Sequence, residues 1–273
     1  MAIITISREL AALGDETANE LAKILNYRLV DKQNLEERIK SYGVAGRKLE
    51  KYDERKPSFW ASLSQDRDVY LHHLKTAIFT EAAAGDCVFI GRGARAVLWD
   101  VPGVLSVFLV APGEIRCERV KSYFHCDDKR ARQIIEQSDH DRRGFHRFFF
   151  DLDWKNPGNY HLTLNTGHLH PAVSAGLIKD LLAHTVTGEQ EAQNSLRLQE
   201  LLLAQRIIHH IQYEKEIPVH FLEVAVSDKT VSLYGVVNSQ GLVEAAVSAA
   251  RELNSGGTVQ SEIQIVQEYS IMP

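Results

Sequence analysis

Short apolar runs rich in β-branched residues alternate with helical patterns along the first two thirds of the chain. The runs cover Ile3–Ile6, Tyr27–Val30, Cys87–Ile90, Val104–Val110 and His161–Leu164. Because consecutive residues in these runs are apolar, rather than every second one, each strand should be covered on both faces. Strands that alternate with helices predict an α/β fold, with a parallel sheet and helices on both faces.

The composition of the chain changes at the polar segment Thr187–Ser195, which we interpret as a linker. An apolar helical pattern, Leu196–Ile211, comes next, followed by two β-rich runs around a turn at 227–229, a second helical pattern and a final strand. This order predicts a small α+β domain with the elements α-β-β-α-β. The predicted division is a first domain at 1–186, a linker at 187–195 and a second domain at 196–273.

Charge, hydropathy and cysteine content exclude several classes of protein. A formal net charge of −5 argues against general nucleic-acid binding, which prefers a basic face. No apolar run is long enough for stable membrane insertion, and the first residues do not have the pattern of a signal peptide. Cys87, Cys117 and Cys126 show no CxxC spacing, so we expect reduced thiols, no metal site and a cytoplasmic location.

The segment after the first strand, "RELAALGDET", has the layout of a phosphate-binding loop followed by a helix. Such loops surround phosphates with backbone N–H groups, which glycines allow to approach closely. This loop contains one glycine, Gly14, and no lysine. Asp15 and Glu16 lie in the first turn of the helix, where they would repel a nucleotide triphosphate. This segment alone therefore favours a plain capped helix over a nucleotide site.

Seven short segments between about residues 2 and 182 carry a family resemblance. They are "ITISREL", "YRLVDK", "LEKYDERKPSFW", "CVFIGRGARAVL", "VFLVAPGEIRCERV", "DHDRR" and "FDLDWKNPGNYHLTLNT". Their order and spacing resemble the cytidylate kinase-like family, which implies the fold of the P-loop nucleoside monophosphate kinases. Residues 196–266 resemble a BON domain in the order of their elements and in the segment "VSLYGVV".

The resemblance implies a degenerate donor-phosphate loop. Its residues are Arg8, Ala11, Ala12, Leu13, Gly14, Asp15, Glu16 and Thr17. Family members commonly have GSGG where this chain has residues 11–14, and often a basic residue where it has Asp15. The lysine of true monophosphate kinases would fall at about Gly14. Mg²⁺ is therefore implied as a cofactor only if ATP binds, and no other cofactor is expected.

The acceptor side of the family pattern is better kept, because Gly91-Arg92-Gly93 resembles the GRD motif of cytidylate kinases. The resemblance implies six acceptor-binding residues: Asp31, Gly91, Arg92, Gly93, Arg119 and Asp141. It also implies three catalytic arginines, which would neutralise a transferring phosphoryl group: Arg116, Arg142 and Arg143. The residues alone equally allow a surface arginine at position 92 and a solvated, ion-paired helix at 142–143. If Arg92 serves only a ligand, Arg92→Ala should leave the stability of the free protein unchanged.

Two functions are open at this point. The first is phosphoryl transfer from ATP to CMP or a related nucleoside monophosphate. The second is a pseudoenzyme that binds a nucleotide or another phosphorylated small molecule and signals through the BON-like domain. The resemblance favours the first function, which is the main prediction from the sequence, and the chemistry of the loop favours the second, which is the alternative. The sequence does not name a ligand or protein partner for the BON-like domain.

Overall fold

The computed structural model describes residues 2–43 and 64–266. The chain divides into two compact units, Met1–Ser195 and Leu196–Pro273. The family segment "LEKYDERKPSFW", at 49–60, lies outside the described residues. Within the described ranges, no helix has the length and hydropathy that crossing a membrane requires.

A parallel sheet forms the centre of the first unit. Its strands are β1 (Ile3–Arg8), β2 (Arg28–Val30), β3 (Cys87–Ile90), β4 (Val104–Val110) and β5 (Leu162–Asn165). They lie in the order β2-β3-β1-β4-β5, so that Ile3 aligns with Cys87 on one side and with Val104 on the other. Ile3 and Ile4 are consecutive and both fully buried, which requires that both faces of the sheet are covered. The predicted parallel sheet with helices is thus confirmed.

Helices connect the strands of the first unit. They are α1 (Gly14–Leu25), α2 (Lys32–Ser41), α3 (Ser64–Ala83), α4 (Ala94–Val97), α5 (Gly113–Phe124), α6 (Asp128–Phe150) and α7 (Pro171–Thr185). Leu21 of α1 and Ile178 of α7 share one buried cluster with Ile4 and Ile6 of β1. Because the strands are parallel, the loops that follow β1, β3 and β4 meet at one edge of the sheet. The candidate site lies at this edge.

The second unit contains a three-stranded sheet. Its elements are the part of α8 (Gly188–His209) that follows Ser195, a π-helical turn (His210–Glu214), β6 (His220–Ser227), β7 (Thr230–Val237), α9 (Gln240–Leu253) and β8 (Thr258–Ile265). β6 and β7 form an antiparallel hairpin, whose turn places Asp228 and Lys229 at φ 48° and 65°. Two consecutive left-handed residues are typical of a tight hairpin turn. β8 runs parallel to β7, because α9 crosses between them. The predicted order of elements is confirmed.

The segment predicted as a linker is mostly helical, since α8 begins at Gly188. Thr187 and Gln190 form a reciprocal cap at its start: the backbone N–H of Thr187 donates to the Gln190 side chain (3.0 Å), and that of Gln190 to the Thr187 hydroxyl (3.3 Å). Asn194 is buried and donates to the carbonyl of Pro102 at 2.9 Å. The polar residues here therefore belong to a capped helix. Separate folding of the two units stays a prediction.

Candidate functional site

The loop between β1 and α1, residues 9–13, keeps a strained backbone. Ala11 and Leu13 have φ values of 60° and 54°, in the left-handed region that glycine adopts most easily. For residues with a Cβ, this conformation costs about 1–2 kcal/mol each. The chain thus keeps a tight loop at a position where the family commonly has glycines, and contacts elsewhere must hold it.

Three side chains from distant segments hold this loop by its carbonyl groups. The carbonyls of residues 10, 11 and 12 accept hydrogen bonds from Arg116 (2.8 Å), Arg119 (2.9 Å) and Thr166 (3.0 Å), respectively. Arg119 also donates to the carbonyl of Thr166 at 2.7 Å. Burial lowers the pKa of Arg119, an effect that the charge of Glu16 partly offsets. In this structure, Arg116 and Arg119 therefore act as braces of the loop.

Arg8 crosses the start of α1 and covers Gly14. The carbon atoms of its side chain lie so close to Gly14 that any Cβ at this position would overlap them. Its guanidinium lies against Gly91, and Nη2 is 3.4 Å from the Asp15 carboxylate. A lysine cannot be accommodated at position 14 unless Arg8 moves. Asp15 and Glu16 are exposed in the first turn of α1, whereas Thr17 is fully buried.

A network of four charges, two of them buried and two partly buried, lies behind the loop, and we call it the charge tetrad. Arg116 forms two hydrogen bonds with Asp139 (2.7 and 3.1 Å) and lies 3.3 Å from Glu9. Lys155 bridges the same two carboxylates, at 2.9 Å from Glu9 and 2.8 Å from Asp139. Burial alone would raise the pKa of Asp139, but the hydrogen bonds from Arg116 and Lys155 outweigh it and lower that pKa. The tetrad joins the first loop to α5, α6 and the segment after α6.

The Gly91-Arg92-Gly93 turn consists of three consecutive left-handed residues, with φ values of 72°, 54° and 70°. The ring of Phe150, at the end of α6, lies where a Cβ of Gly93 would be. The aspartate of the GRD motif would therefore overlap Phe150 in this chain. Arg92 is only 3% exposed and donates to Glu36 at 2.6 Å. Arg92 is thus a buried residue with a structural contact, and Arg92→Ala should destabilise the free protein.

The remaining predicted residues lie on α6 and at the start of α2. Arg142 is half-buried and donates to Ser138 at 2.8 Å, whereas the adjacent Arg143 is exposed. Asp141 is buried and accepts from Gln137 at 2.6 Å. Asp31 caps α2, since its carboxylate accepts the backbone N–H of Asn34 at 3.0 Å. Asp31 therefore has a structural role that explains its presence without a ligand.

One cavity of about 1160 Å³ lies between the edge of the sheet and α6, and we call it the lid cavity. Five cationic side chains line it: Arg8, Lys32, Arg92, Arg130 and Arg142. Two acidic side chains line it as well, Glu136 and Asp141. The fold thus brings four predicted residues together, from β1, the turn after β3 and α6: Arg8, Arg92, Asp141 and Arg142. The other predicted residues are not among those that line the cavity.

Sequence reasoning missed several residues of the lid cavity. Lys32 lies in the segment "YRLVDK", which carried the resemblance, but a lysine at the start of a helix has no distinguishing pattern. Arg130, Tyr123 and Phe124 flank the turn between α5 and α6. The sequence signal that could have indicated this part of the cavity was the pair of adjacent aromatic residues at the end of a polar helix.

A second cluster of titratable groups lies in the C-terminal unit, and we call it the histidine clamp. His210 is 2.5 Å from the carboxylate of Glu214 through Nδ1 and 2.9 Å from that of Glu252 through Nε2. Lys215 is 3.0 Å from Glu252. The hydrogen bonds to Glu214 and Glu252 raise the pKa of His210 and lower the pKa values of both carboxyls. No group of three His, Cys, Asp or Glu side chains within the described ranges is arranged to hold a metal ion.

Comparison with known families assigns the first unit. The sequence profile of the cytidylate kinase-like family matches residues 3–168, which is more than half of the chain. The chain belongs to the cytidylate kinase-like family. The profile of the BON domain matches residues 200–267 of the second unit. Both resemblances drawn from the sequence are therefore confirmed.

Several solved structures are similar to this member of the cytidylate kinase-like family. An uncharacterized protein from Eubacterium ventriosum matches with a TM-score of 0.53 and 22% identity, over 67% of this chain and 99% of that one. Shikimate kinases from Bacteroides thetaiotaomicron (TM-score 0.40, 14% identity, 67% and 98% covered) and Acinetobacter baumannii (0.39, 16%, 67% and 94%) also match. No curated protein matches the chain. The first likeness shows a shared fold and does not identify a ligand.

Proposed function

We propose that the kinase-like unit binds a nucleoside monophosphate in the lid cavity and acts as a sensor rather than as a kinase. The observation that carries this proposal is the lining of the cavity, which contains five cationic and two acidic side chains; Glu36, which contacts Lys32 and Arg92, offsets part of this positive charge. Arginines are suited to phosphate because their planar guanidinium groups can donate two parallel hydrogen bonds. The BON domain would then convey the ligand-bound state to a partner.

The donor side of the site supports binding without transfer. The lysine of true monophosphate kinases would fall at about position 14, which is glycine in this chain, and the side chain of Arg8 covers it. Asp15 and Glu16 are exposed in the first turn of α1, at the end of the helix that the phosphates of ATP would approach. Repulsion between unit charges at 4 Å amounts to about 1 kcal/mol in water and about 4 kcal/mol near a protein surface. We therefore expect ATP to bind weakly or not at all.

The second candidate is phosphoryl transfer from ATP–Mg²⁺ to CMP or a related monophosphate. Family membership and the shared position of Arg92 and Arg142 on one cavity favour it. Phosphoryl transfer depends mainly on positioning and on charge neutralisation, which arginines supply. In this case, Mg²⁺ would arrive with ATP, and Asp15 would be a candidate ligand of the ion.

Titration calorimetry with AMP, CMP, GMP, UMP and ATP–Mg²⁺, with an assay for ADP release, tests both candidates. Arg142→Ala should weaken binding of the best monophosphate by about 10-fold or more, because charged hydrogen bonds contribute about 1.5–3 kcal/mol. Arg143→Ala is the matched control, since it removes the same charge from an adjacent exposed position. It should change the affinity less than two-fold.

The outcomes separate the two functions. Monophosphate binding without turnover supports the sensor. Micromolar affinity for ATP, about −8 kcal/mol, together with ADP release that requires a monophosphate, establishes the kinase instead. If no monophosphate binds, or if Arg142→Ala and Arg143→Ala have equal effects, the lid cavity is not the site.

A further inference from the structure

Two adjacent aromatic side chains stand at the mouth of the lid cavity. Tyr123 is 79% exposed and Phe124 is 49% exposed, although both residues line the cavity. Their rings are in edge-to-face contact, with centroids 4.9 Å apart and planes at 72°. We call this pair the aromatic shelf. Large aromatic side chains are usually mostly buried, so two exposed neighbours on one cavity need an explanation.

The shelf is attached to a well-packed part of the first unit. Cys117 and Val120 of α5 are buried against Ala131 of α6, with Ile134 beside them. The side chain of Asp127 caps α6 by accepting the backbone N–H of Arg130 at 2.7 Å. The turn that joins the two helices is therefore fixed at both ends. The two rings are exposed at the last turn of α5, while Cys117 and Val120 of the same helix are packed.

The neighbours of the shelf restrict what could cover it. Arg130 lines the same cavity, as do Gln133 and Gln137 on the following turns of α6. A purely apolar partner would leave these polar groups without hydrogen bonds, which is unfavourable. A ligand that combines a flat π-system, hydrogen-bonding edges and negative charge could interact with the aromatic, amide and cationic side chains of the cavity. A nucleotide has these properties.

We propose that Tyr123 and Phe124 form a stacking surface for the nucleobase of the ligand, an inference that rests on the proposed function. In this arrangement, the cationic residues of the cavity bind the phosphate and the shelf binds the base. Stacking of a base on an aromatic ring contributes about 1–3 kcal/mol and tolerates all bases, because each has a π-face. We therefore expect strong selectivity for nucleotides over sugar phosphates, but differences of less than about 10-fold among the four monophosphates.

The test compares the best-binding nucleoside monophosphate with ribose 5-phosphate, which has the sugar phosphate but no base. The full-length protein should bind the monophosphate at least about 5-fold more tightly than ribose 5-phosphate. Tyr123→Ala or Phe124→Ala should reduce this ratio towards one, while the affinity for ribose 5-phosphate stays unchanged. Tyr123→Phe should keep the ratio, since the ring remains.

Trp99→Ala is the matched control for the loss of an exposed aromatic residue. Trp99 is 73% exposed and is not among the residues that line the lid cavity. This variant should bind both ligands as the unchanged protein does. Thermal unfolding of each variant checks that the fold is intact, which we expect because the substituted rings are exposed.

Each outcome decides a different point. Equal affinities for the two ligands, or a ratio that both alanine variants leave unchanged, would overturn the stacking proposal while the phosphate-binding cavity stands. Failure of both ligands to bind would overturn the proposed function and the shelf with it. A loss of affinity for ribose 5-phosphate in Tyr123→Ala would show that the ring supports the phosphate side, which also contradicts stacking.

Discussion

The charge tetrad offers the sharpest test of how the first loop is held. In Arg116→Met, an apolar side chain of similar length replaces the guanidinium. Glu9 and Asp139, whose side chains are only 11% and 13% exposed, would then share the single cation Lys155. The Leu10 carbonyl would also lose the hydrogen bond from Arg116.

The size of the effect follows from the contacts. A charge pair about 3 Å apart interacts by roughly 5 kcal/mol at an effective dielectric near 20, before desolvation is counted. Removing one partner of a buried pair costs about 3–5 kcal/mol, because the other charge stays buried without compensation. Folded proteins are stable by about 5–15 kcal/mol. Arg116→Met should therefore remove a large part of the stability of the first unit.

Urea unfolding followed by tryptophan fluorescence measures this loss. All three tryptophans, Trp60, Trp99 and Trp154, precede the BON domain in the sequence, so their fluorescence does not report directly on that domain. With an m value of about 2–3 kcal/mol per molar urea, the midpoint should fall by roughly 1–2.5 M. A loss of less than about 1 kcal/mol would refute the assignment of Arg116 as a structural brace.

A second substitution distinguishes a network from separate contacts. In the Arg116→Met background, Asp139→Asn restores charge balance, because Glu9 keeps Lys155. The second substitution should then cost at least about 2 kcal/mol less than it does alone, and simple additivity would contradict the network. The pKa of Asp139 is lowered on folding. Its contribution is thus present above its unfolded pKa, about 3.9, and is lost as the pH falls through its folded pKa.

Three further predictions concern other parts of the chain. Arg92→Ala should lower the stability of the first unit by about 1–3 kcal/mol, because the glutamate that it contacts loses a buried donor; an unchanged urea midpoint would restore a purely ligand-binding role. Gly93→Ala should destabilise by at least about 1 kcal/mol, through its left-handed backbone and overlap with Phe150, whereas Gly113→Ala, which meets no neighbour, should be neutral in the same assay. The raised pKa of His210 means that the stabilisation from the histidine clamp is complete below about pH 6.5 and lost as the pH rises through the folded value. As the pH rises above about 6.5, amide hydrogen exchange in residues 196–266 of the full chain should therefore accelerate by more than the general increase of exchange rates with pH. His210→Gln should abolish this additional acceleration.

Much of the fold could be predicted because its signals are local. Consecutive apolar residues such as Ile3 and Ile4 identify strands covered on both faces, and the turn at Asp228 follows from the residues around it. The start of α8 also has a local signal, since Thr187 and Gln190 have the spacing of a capping box. The polar composition of this segment concealed it, because an exposed helix and a linker have similar compositions.

The roles of the arginines could not be predicted, because they depend on partners far away in the sequence. Arg92 and its partner Glu36 are 56 positions apart. Arg116 contacts a loop 106 positions earlier, and no pattern near either residue indicates the pairing. A family resemblance assigns to such arginines the ligand-binding or catalytic roles that the matching positions have in the family. Only the observed contacts separate the cation that braces the loop, Arg116, from the cation that lines a cavity, Arg142.

The anchoring of the first loop has a consequence for the order of folding. The loop is synthesised before the groups that hold it, since its carbonyls accept hydrogen bonds from side chains that lie 106, 108 and 154 positions later in the chain. A nascent chain that ends before Thr166 therefore contains the sequence of the loop but lacks one of the groups that set its shape. Contacts across such separations require closure of long chain segments and form slowly. The site begins with the first strand in the sequence and is completed only after the last strand of the parallel sheet has joined.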